Sequence, residues 1–333
     1  MATTADASHD TPRVAVIGTG GWGRNLARNL QQLGALRAIV DPCREHRDAM
    51  LAEAPGVAAH AEYQAALDDP AIDAVVIATP VATHYAIAYD ALAADKDVFV
   101  EKPLTLQADA AWELVALAEA RQRLLMVGHL LLFQPAIVWL RDALAAGQIG
   151  ELHSIHQRRR GLGRVRDHEN VLWCLGSHDI AVQRLLLGER SIERLTAHGQ
   201  CLLQPAIEDD VHLHITYAGG VQTHLHCSWL WPNRDRGLMI VGSDGMLEYD
   251  EIEQVVTLHR KGVDGDLNPS DRGSEVIQRG HDQPLRLEME HFLACVERRE
   301  TCRSDGRCGA AVIDVLMQAG QQLQQLRRND DPT

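Results

Sequence analysis

No stretch of this chain approaches the roughly 18 consecutive apolar residues that a membrane-spanning helix requires. The opening residues Met1 to Thr11 are polar, carry Asp6 and Asp10, and lack the basic end and apolar stretch of a signal peptide. They read as a short disordered tail. The seven cysteines contain no CxxC pair and no dense spacing, so a disulfide framework is not indicated. Free thiols in a reducing cytoplasm are expected. A basic excess is also missing. The formal net charge of −14 argues against a general nucleic-acid binder, which must neutralise phosphates. It leaves room for a small anionic ligand held by a local arginine cluster. There is no internal repeat and no low-complexity tract. What remains is 333 residues with 46% apolar content, enough for two globular domains with their own cores.

The first part alternates strand-like and helix-like segments. Apolar strands are predicted at Arg13–Ile17, Leu36–Asp41, Asp73–Ala78, Asp97–Glu101 and Leu124–Gly128. Helices are predicted at Trp22–Leu33, Ala82–Ala94 and Leu106–Arg121, the first from Leu26, Leu30 and Leu33 at helical spacing. Continuous apolar strands between helices indicate a parallel sheet covered on both faces. Residues 12–128 are therefore expected to form an α/β dinucleotide-binding domain. Residues 129–333 read as an α+β domain on an open, mostly antiparallel sheet. Its strand-like pieces are Glu151–Gly161, the hairpin Val211–Tyr217 and Val221–Trp229, Gly237–Val241, Met246–Tyr249 and Val255–Arg260. Helices are expected at Asn170–Leu187, Leu285–Arg298 and Ala310–Arg328, and a loop at Gly262–Gly280.

Val14-Ala15-Val16-Ile17 runs into Gly18-Thr19-Gly20-Gly21-Trp22-Gly23. Gly18, Gly20 and Gly23 fit G-x-G-x-x-G between a strand and a helix. The first glycine permits the tight turn, the second lets the backbone approach a pyrophosphate, and the third lets helix and strand pack closely. The helix starting near Trp22 then points its free N–H groups at the phosphates. Asp41 ends the second strand, where a carboxylate accepts a ribose 2′-hydroxyl and repels a 2′-phosphate, favouring NAD over NADP. Asp41 could equally cap the next helix, and Arg44 nearby could soften the preference.

Two further motifs follow strands, and in open α/β sheets ligands bind beyond the carboxyl ends. One is Thr79-Pro80 with His84. The other is Glu101-Lys102-Pro103. A partly desolvated lysine there can share a proton with a reacting hydroxyl or polarise a carbonyl. A plain surface lysine before a proline turn is the blander alternative.

These motifs, with Trp173-Cys174-Leu175-Gly176-Ser177-His178-Asp179, resemble the Gfo/Idh/MocA oxidoreductase family over essentially the whole length. The resemblance implies a Rossmann domain, a C-terminal open-faced sheet and NAD chemistry. It implies cofactor contacts at Gly18, Gly20, Gly21, Trp22, Gly23, Asp41, Thr79, Pro80, His84, Glu101 and Lys102. It implies catalytic roles for Lys102 and His178, the latter an imidazole suited to a general base. Many relatives have an aspartate one helical turn before that histidine. Here the position is Cys174, so the proton path changes, or Asp179 or Lys102 takes more of the task.

Arg158, Arg159, Arg160, Arg164 and Arg166 fall within nine residues, just before the histidine segment. Guanidinium groups bind phosphates in bidentate fashion. A solvated charge run, or salt bridges at a subunit contact, would use the same residues. The pattern, followed by Glu169-Asn170-Val171-Leu172-Trp173, resembles the nucleotide-sugar branch of the family, as does Pro284-Leu285-Arg286-Leu287-Glu288 with His291-Phe292. That branch includes UDP-N-acetylglucosamine 3-dehydrogenases and UDP-N-acetylglucosaminuronate 3-dehydrogenases. It implies substrate contacts at Lys102, Arg158, Arg160, Arg164, Arg166, Asn170, Trp173 and His178, oxidation at C3, and an aminotransferase downstream in 3-amino sugar (cell-envelope polysaccharide or lipid A) synthesis. A free-sugar or inositol dehydrogenase, and a non-catalytic NAD-binding sensor, stay open as alternatives.

His212, His214, His224 and His226 alternate along the hairpin while Leu213, Ile215 and Tyr217 supply the core. The histidines are expected to face solvent or another subunit, with no metal. The resemblance places a homodimer or tetramer contact on the open sheet face. Trp229 and Trp231 are expected to pack rather than to stack on a ligand.

Overall fold

The computed structural model describes residues 11–280 and 283–330. The expected disordered tail lies outside them except for Thr11. The chain divides into two compact units. The first comprises the described residues up to Gly128 together with Leu285–Ala310; the second comprises His129–Pro284 and the described residues from Ala311 onward.

In the first unit β1 (Val14–Ile17), α1 (Gly21–Gln32), β2 (Leu36–Val40), α2 (Arg44–Glu53), β3 (Ala58–His60), α3 (Gln64–Leu67), β4 (Ala74–Ile77), α4 (His84–Ala93), β5 (Asp97–Glu101), α5 (Ala108–Arg121) and β6 (Leu125–Gly128) follow one another. The described strands form a parallel sheet in the order β3-β2-β1-β4-β5-β6. This is the doubly wound order, whose reversal between β1 and β4 opens a crevice at the carboxyl ends. β1 and β4 are buried at every position, as their unbroken apolar runs require when helices cover both faces. β3 escaped the sequence pattern because it is short and only partly buried.

The second unit contains α6 (Pro135–Ala145), β7 (Leu152–Arg160), α7 (Ser177–Leu187), β8 (Ile192–Gln200), β9 (Asp210–Tyr217), β10 (Gln222–Ser228), β11 (Asp235–Gly242), β12 (Met246–Asp250), β13 (Val255–Val263) and β14 (Pro269–Arg279). The strands order as β14-β13-β12-β11-β7-β10-β9-β8. Every neighbouring pair is antiparallel except β7 with β10. One face of β7, β9 and β10 is buried through Ile155, Gln157, Leu213, Ile215 and Leu225. Gln157, Gln183, Tyr217 and Thr223 join beneath α7 in a buried hydrogen-bonded set.

Three expectations need correction. Gly262–Gly280 is not a loop: β14 pairs along β13 from Val263↔Pro269 to Val255↔Arg279. Both faces of β14 are largely exposed, so no apolar alternation marks it, and backbone hydrogen bonds carry the pairing. The helix expected at Asn170–Leu187 is divided, with a π-helical turn at Leu172–Gly176 ahead of α7. Finally, α8 (Pro284–Arg298) and the start of α9 (Gly306–Asp330) group largely with the first unit rather than with the second. Arg299 pairs with Asp97, and Val127 N–H donates to the Ser304 carbonyl at 2.8 Å.

Candidate active site

The glycine loop is shaped as the motif demands. Gly18 has φ of +90°, and a Cβ there would meet the Ala78 carbonyl carbon at 2.8 Å. A Cβ on Gly23 would meet the Gly18 carbonyl oxygen at 1.8 Å, so the helix closes on the strand only without one. Gly20 and Gly21 instead face open space, with no heavy atom within 4 Å of a built Cβ. α1 starts there with no side-chain cap and no acidic residue in its first turn, so its amides are available to an anion. These features fit a dinucleotide's phosphates.

A cavity of about 680 Å³ lies beyond the carboxyl ends of the strands, lined by Gly18, Gly20, Asp41, His46, Thr79 and Pro80 among others. The Asp41 carboxylate accepts the Thr19 N–H at 2.8 Å and the Cys43 N–H at 2.9 Å, and lies 3.2 Å from His46 Nδ1. Burial raises its pKa, but the two backbone donors and His46 outweigh that and hold the carboxyl below its ordinary value. Asp41 therefore stays ionised in this cavity, and it also caps the turn into α2. A larger cavity, about 920 Å³, lies at the opposite, amino ends of the strands. There Arg13 pairs with Asp73 and Arg299 with Asp97.

His84 lies behind the crevice. It is 2% exposed, and its ring nitrogens sit 2.9 Å from the carbonyl oxygens of Pro103 and Thr79. The ring thus ties the Thr79-Pro80 turn to the turn after β5, whose Lys102–Pro103 peptide is cis. Burial lowers its pKa against the two carbonyls, so the neutral ring donates to one of them. At the end of β5, Trp22 Nε1 donates to Glu101. Burial raises the Glu101 carboxyl to about 7, opposed by Trp22 and by Lys102. Glu288, on α8, is fully buried, and neither carboxyl oxygen has a hydrogen-bond partner among the described residues. Burial, then the charge of Glu101, pushes its pKa well up. The sequence marks Glu288 only as the end of the run Pro284-Leu285-Arg286-Leu287-Glu288 and gives it no site role, although it interrupts the apolar face formed by Met289, Phe292, Leu293 and Val296.

In the second unit His178 opens α7 directly after the π-helical turn, a feature frequent at functional sites. Its ring meets that of His129 edge-on at 6.4 Å. Cys174 lies within the π-helical turn. Asp179 is not available to replace the missing carboxylate. It is buried and bound to Arg159, which also holds Glu251 with contacts of 2.6 and 3.1 Å. Burial raises the Asp179 carboxyl against the pull of Arg159.

The five arginines divide by strand alternation. Arg159 points to the buried face of β7. Arg158 and Arg160 point the other way and share Asp235, Arg158 at 2.6 Å, while the Arg160 guanidinium carbon stands 3.9 Å from the centre of the Trp231 ring. Each therefore already has a carboxylate partner inside the protein. Arg164 and Arg166 lie in the irregular segment after β7, where Arg164 is exposed and Arg166 is 3.8 Å from Glu169. Asn170 caps the π-helical turn: its side-chain oxygen accepts the Trp173 N–H at 3.1 Å and its amide donates to Glu208 at 2.8 Å. Trp173 is half-buried and Trp229 buried.

The parallel sheet, the glycine cradle and the ionised Asp41 define an NAD-binding oxidoreductase of the Rossmann class. Comparison with known proteins supports this. Residues 12–129 match a model described as the oxidoreductase family with NAD-binding Rossmann fold, and residues 137–248 match the GFO/IDH/MocA C-terminal domain. Inositol 2-dehydrogenase 1 from Saccharopolyspora erythraea is 30% identical over 93% of this chain and 94% of its own length. UDP-N-acetylglucosamine 3-dehydrogenase from Acidithiobacillus ferrooxidans is 26% identical over 92% of this chain and 95% of its own. A crystal structure of that enzyme superposes with a TM-score of 0.85 at 25% identity, covering 95% of this chain and 99% of the other. The chain belongs to the Gfo/Idh/MocA oxidoreductase family and is an NAD-dependent dehydrogenase.

Proposed function

We propose that this dehydrogenase oxidises the C3 hydroxyl of a UDP-N-acetylhexosamine, UDP-N-acetylglucosamine, to the 3-keto sugar nucleotide. The observation that carries the reading is the exposed Arg164, with Arg166, in the segment that leads into the His178 helix. A diphosphate needs such guanidinium groups, whereas a free polyol has nothing for them to hold. The likeness to UDP-N-acetylglucosamine 3-dehydrogenase over nearly the full length of both chains supports it.

When bound, NAD supplies the acceptor for the hydride that leaves the carbinol carbon. Gly20 and Gly21 hold its phosphates in the loop that Gly18 and Gly23 shape, Asp41 its ribose, and Thr79, Pro80, Trp22 and Glu101 line the approach to its reactive end. His84 positions the two turns that carry these groups. We assign Lys102 and His178 to the reacting hydroxyl: one takes its proton, the other steadies the developing carbonyl oxygen. Cys174 stands where many relatives have a carboxylate, and Asp179 is committed to Arg159. Binding energy from the nucleotide is expended away from the reacting carbon, which is how remote groups raise turnover.

The ketone product would feed an aminotransferase. A homodimer or tetramer through the open sheet remains part of the proposal. An inositol-type polyol is the second reading, favoured by the 30% identity to an inositol 2-dehydrogenase and by the internal pairing of Arg158 and Arg160. A uronate substrate would need a further cation near C6. Incubation with NAD and, separately, UDP-N-acetylglucosamine, its uronate and myo-inositol, followed by NADH absorbance, separates the three. NADH formed with myo-inositol and not with either nucleotide sugar would replace this reading by the polyol one.

A further inference from the structure

α8 carries His291 and Cys295 one helical turn apart, and the connection to α9 returns Cys302 to the same place. The three potential ligand atoms lie within 4.8 Å of one another. Cys295 Sγ is 3.4 Å from His291 Nε2. A zinc–sulfur bond of about 2.3 Å and a zinc–nitrogen bond of about 2.0 Å meeting at a tetrahedral angle give an edge of about 3.5 Å. Cys295 is buried, and His291 and Cys302 are half-buried. The donors are thus held by packing but remain open on one side. The connection itself is fixed to the sheet, since Ser304 Oγ donates to the Val127 carbonyl at 2.6 Å.

We propose that His291, Cys295 and Cys302 form a site for a thiophilic divalent cation, zinc, which fastens the α8–α9 connection beside β6. Soft sulfur donors with one imidazole select zinc over the hard cations that prefer oxygen. On binding, the two thiols release their protons to solvent, and His291 Nε2 exchanges the Arg303 N–H, now 3.0 Å away, for the metal. Water completes the fourth position. The other compact groups are less suited. Asp41, Cys43 and His46 belong to the ribose end of the NAD site. Asp210, His212 and His226 offer no sulfur, and their two imidazoles lie nearly parallel with centres 3.9 Å apart. The spacing His-x3-Cys-x6-Cys matches no common zinc pattern, which is why cysteine arithmetic did not expose it.

The test is titration of the chelator-treated full-length protein with Co²⁺, then Zn²⁺. The expected result is one Co²⁺ per chain with a sulfur-to-cobalt charge-transfer band and tetrahedral visible bands. Zn²⁺ should abolish both and shield two thiols from dithionitrobenzoate. Cys302→Ser, at a half-buried position, should lose most of the charge-transfer intensity, and His291→Gln should weaken binding at least tenfold. The wild-type spectrum alone also decides, in case a variant misfolds. Cobalt bound without a sulfur band, a band unchanged in Cys302→Ser, or two thiols lost to a disulfide that shuts out cobalt would each overturn the site.

Discussion

Replacing Glu288 by Gln should change the pH dependence of stability more than stability itself. The carboxyl is fully buried without a hydrogen-bond partner among the described residues, so the folded chain keeps it protonated. In the unfolded chain it ionises around its ordinary value of 4.5. A carboxyl whose folded pKa is raised contributes nothing unfavourable well below that value. Its cost grows as pH rises through it and levels off only where the folded carboxyl ionises. Each pH unit is at most about 1.36 kcal/mol, so between pH 5 and pH 7 the wild type should lose stability that the glutamine variant does not, up to about 2.5 kcal/mol. The constant part of the difference includes the new unsatisfied amide and carries no information. Urea denaturation at the two pH values, followed by tryptophan fluorescence, measures the change. A wild-type-to-variant gap that is the same at pH 5 and pH 7 would refute the claim that Glu288 is buried as the neutral acid.

The remaining predictions concern the site. Asp41→Asn keeps an acceptor for the Cys43 N–H but removes the charge; a charge-assisted hydrogen bond is worth about 1.5–3 kcal/mol, so the KM for NAD should rise roughly tenfold or more and relative use of NADP should increase. An unchanged NAD/NADP ratio of kcat/KM would exclude the ribose role. Lys102→Ala and His178→Ala should each lower kcat about 100-fold or more while NAD still quenches tryptophan fluorescence; near-normal turnover removes that residue from the chemistry. Arg164→Ala should raise the KM for a nucleotide sugar with little change in kcat, and leave turnover of any free polyol untouched. A fall in kcat alone would place Arg164 elsewhere.

The alternating βα half was readable because fully buried strands have unbroken apolar runs and the glycines have one steric purpose each. Gly18, Asp41 and Thr79-Pro80 then fell at the carboxyl ends by topology alone. The second unit was harder. β14 hides because neither face is buried, and β8 because it is an edge strand with only Leu195 and Ala197 well buried. The arginine run looked like one feature, yet strand alternation sends Arg159 to the core and Arg158 and Arg160 to Asp235. The partner residues Asp179, Glu251 and Asp235 lie too far along the chain for spacing to reveal. His84 carried a family signal, but only its two carbonyl partners show that it braces the site from behind.

The most direct measurement is NADH absorbance at neutral pH with purified protein, NAD and UDP-N-acetylglucosamine, with the product identified by mass as two hydrogens lighter and by trapping of a C3 ketone. Steady NADH formation dependent on the nucleotide sugar, accelerated when a ketone-removing reagent is present, is the predicted result. NADH formation with no nucleotide sugar but with a free polyol, or none with any sugar while NAD binds, would contradict the account.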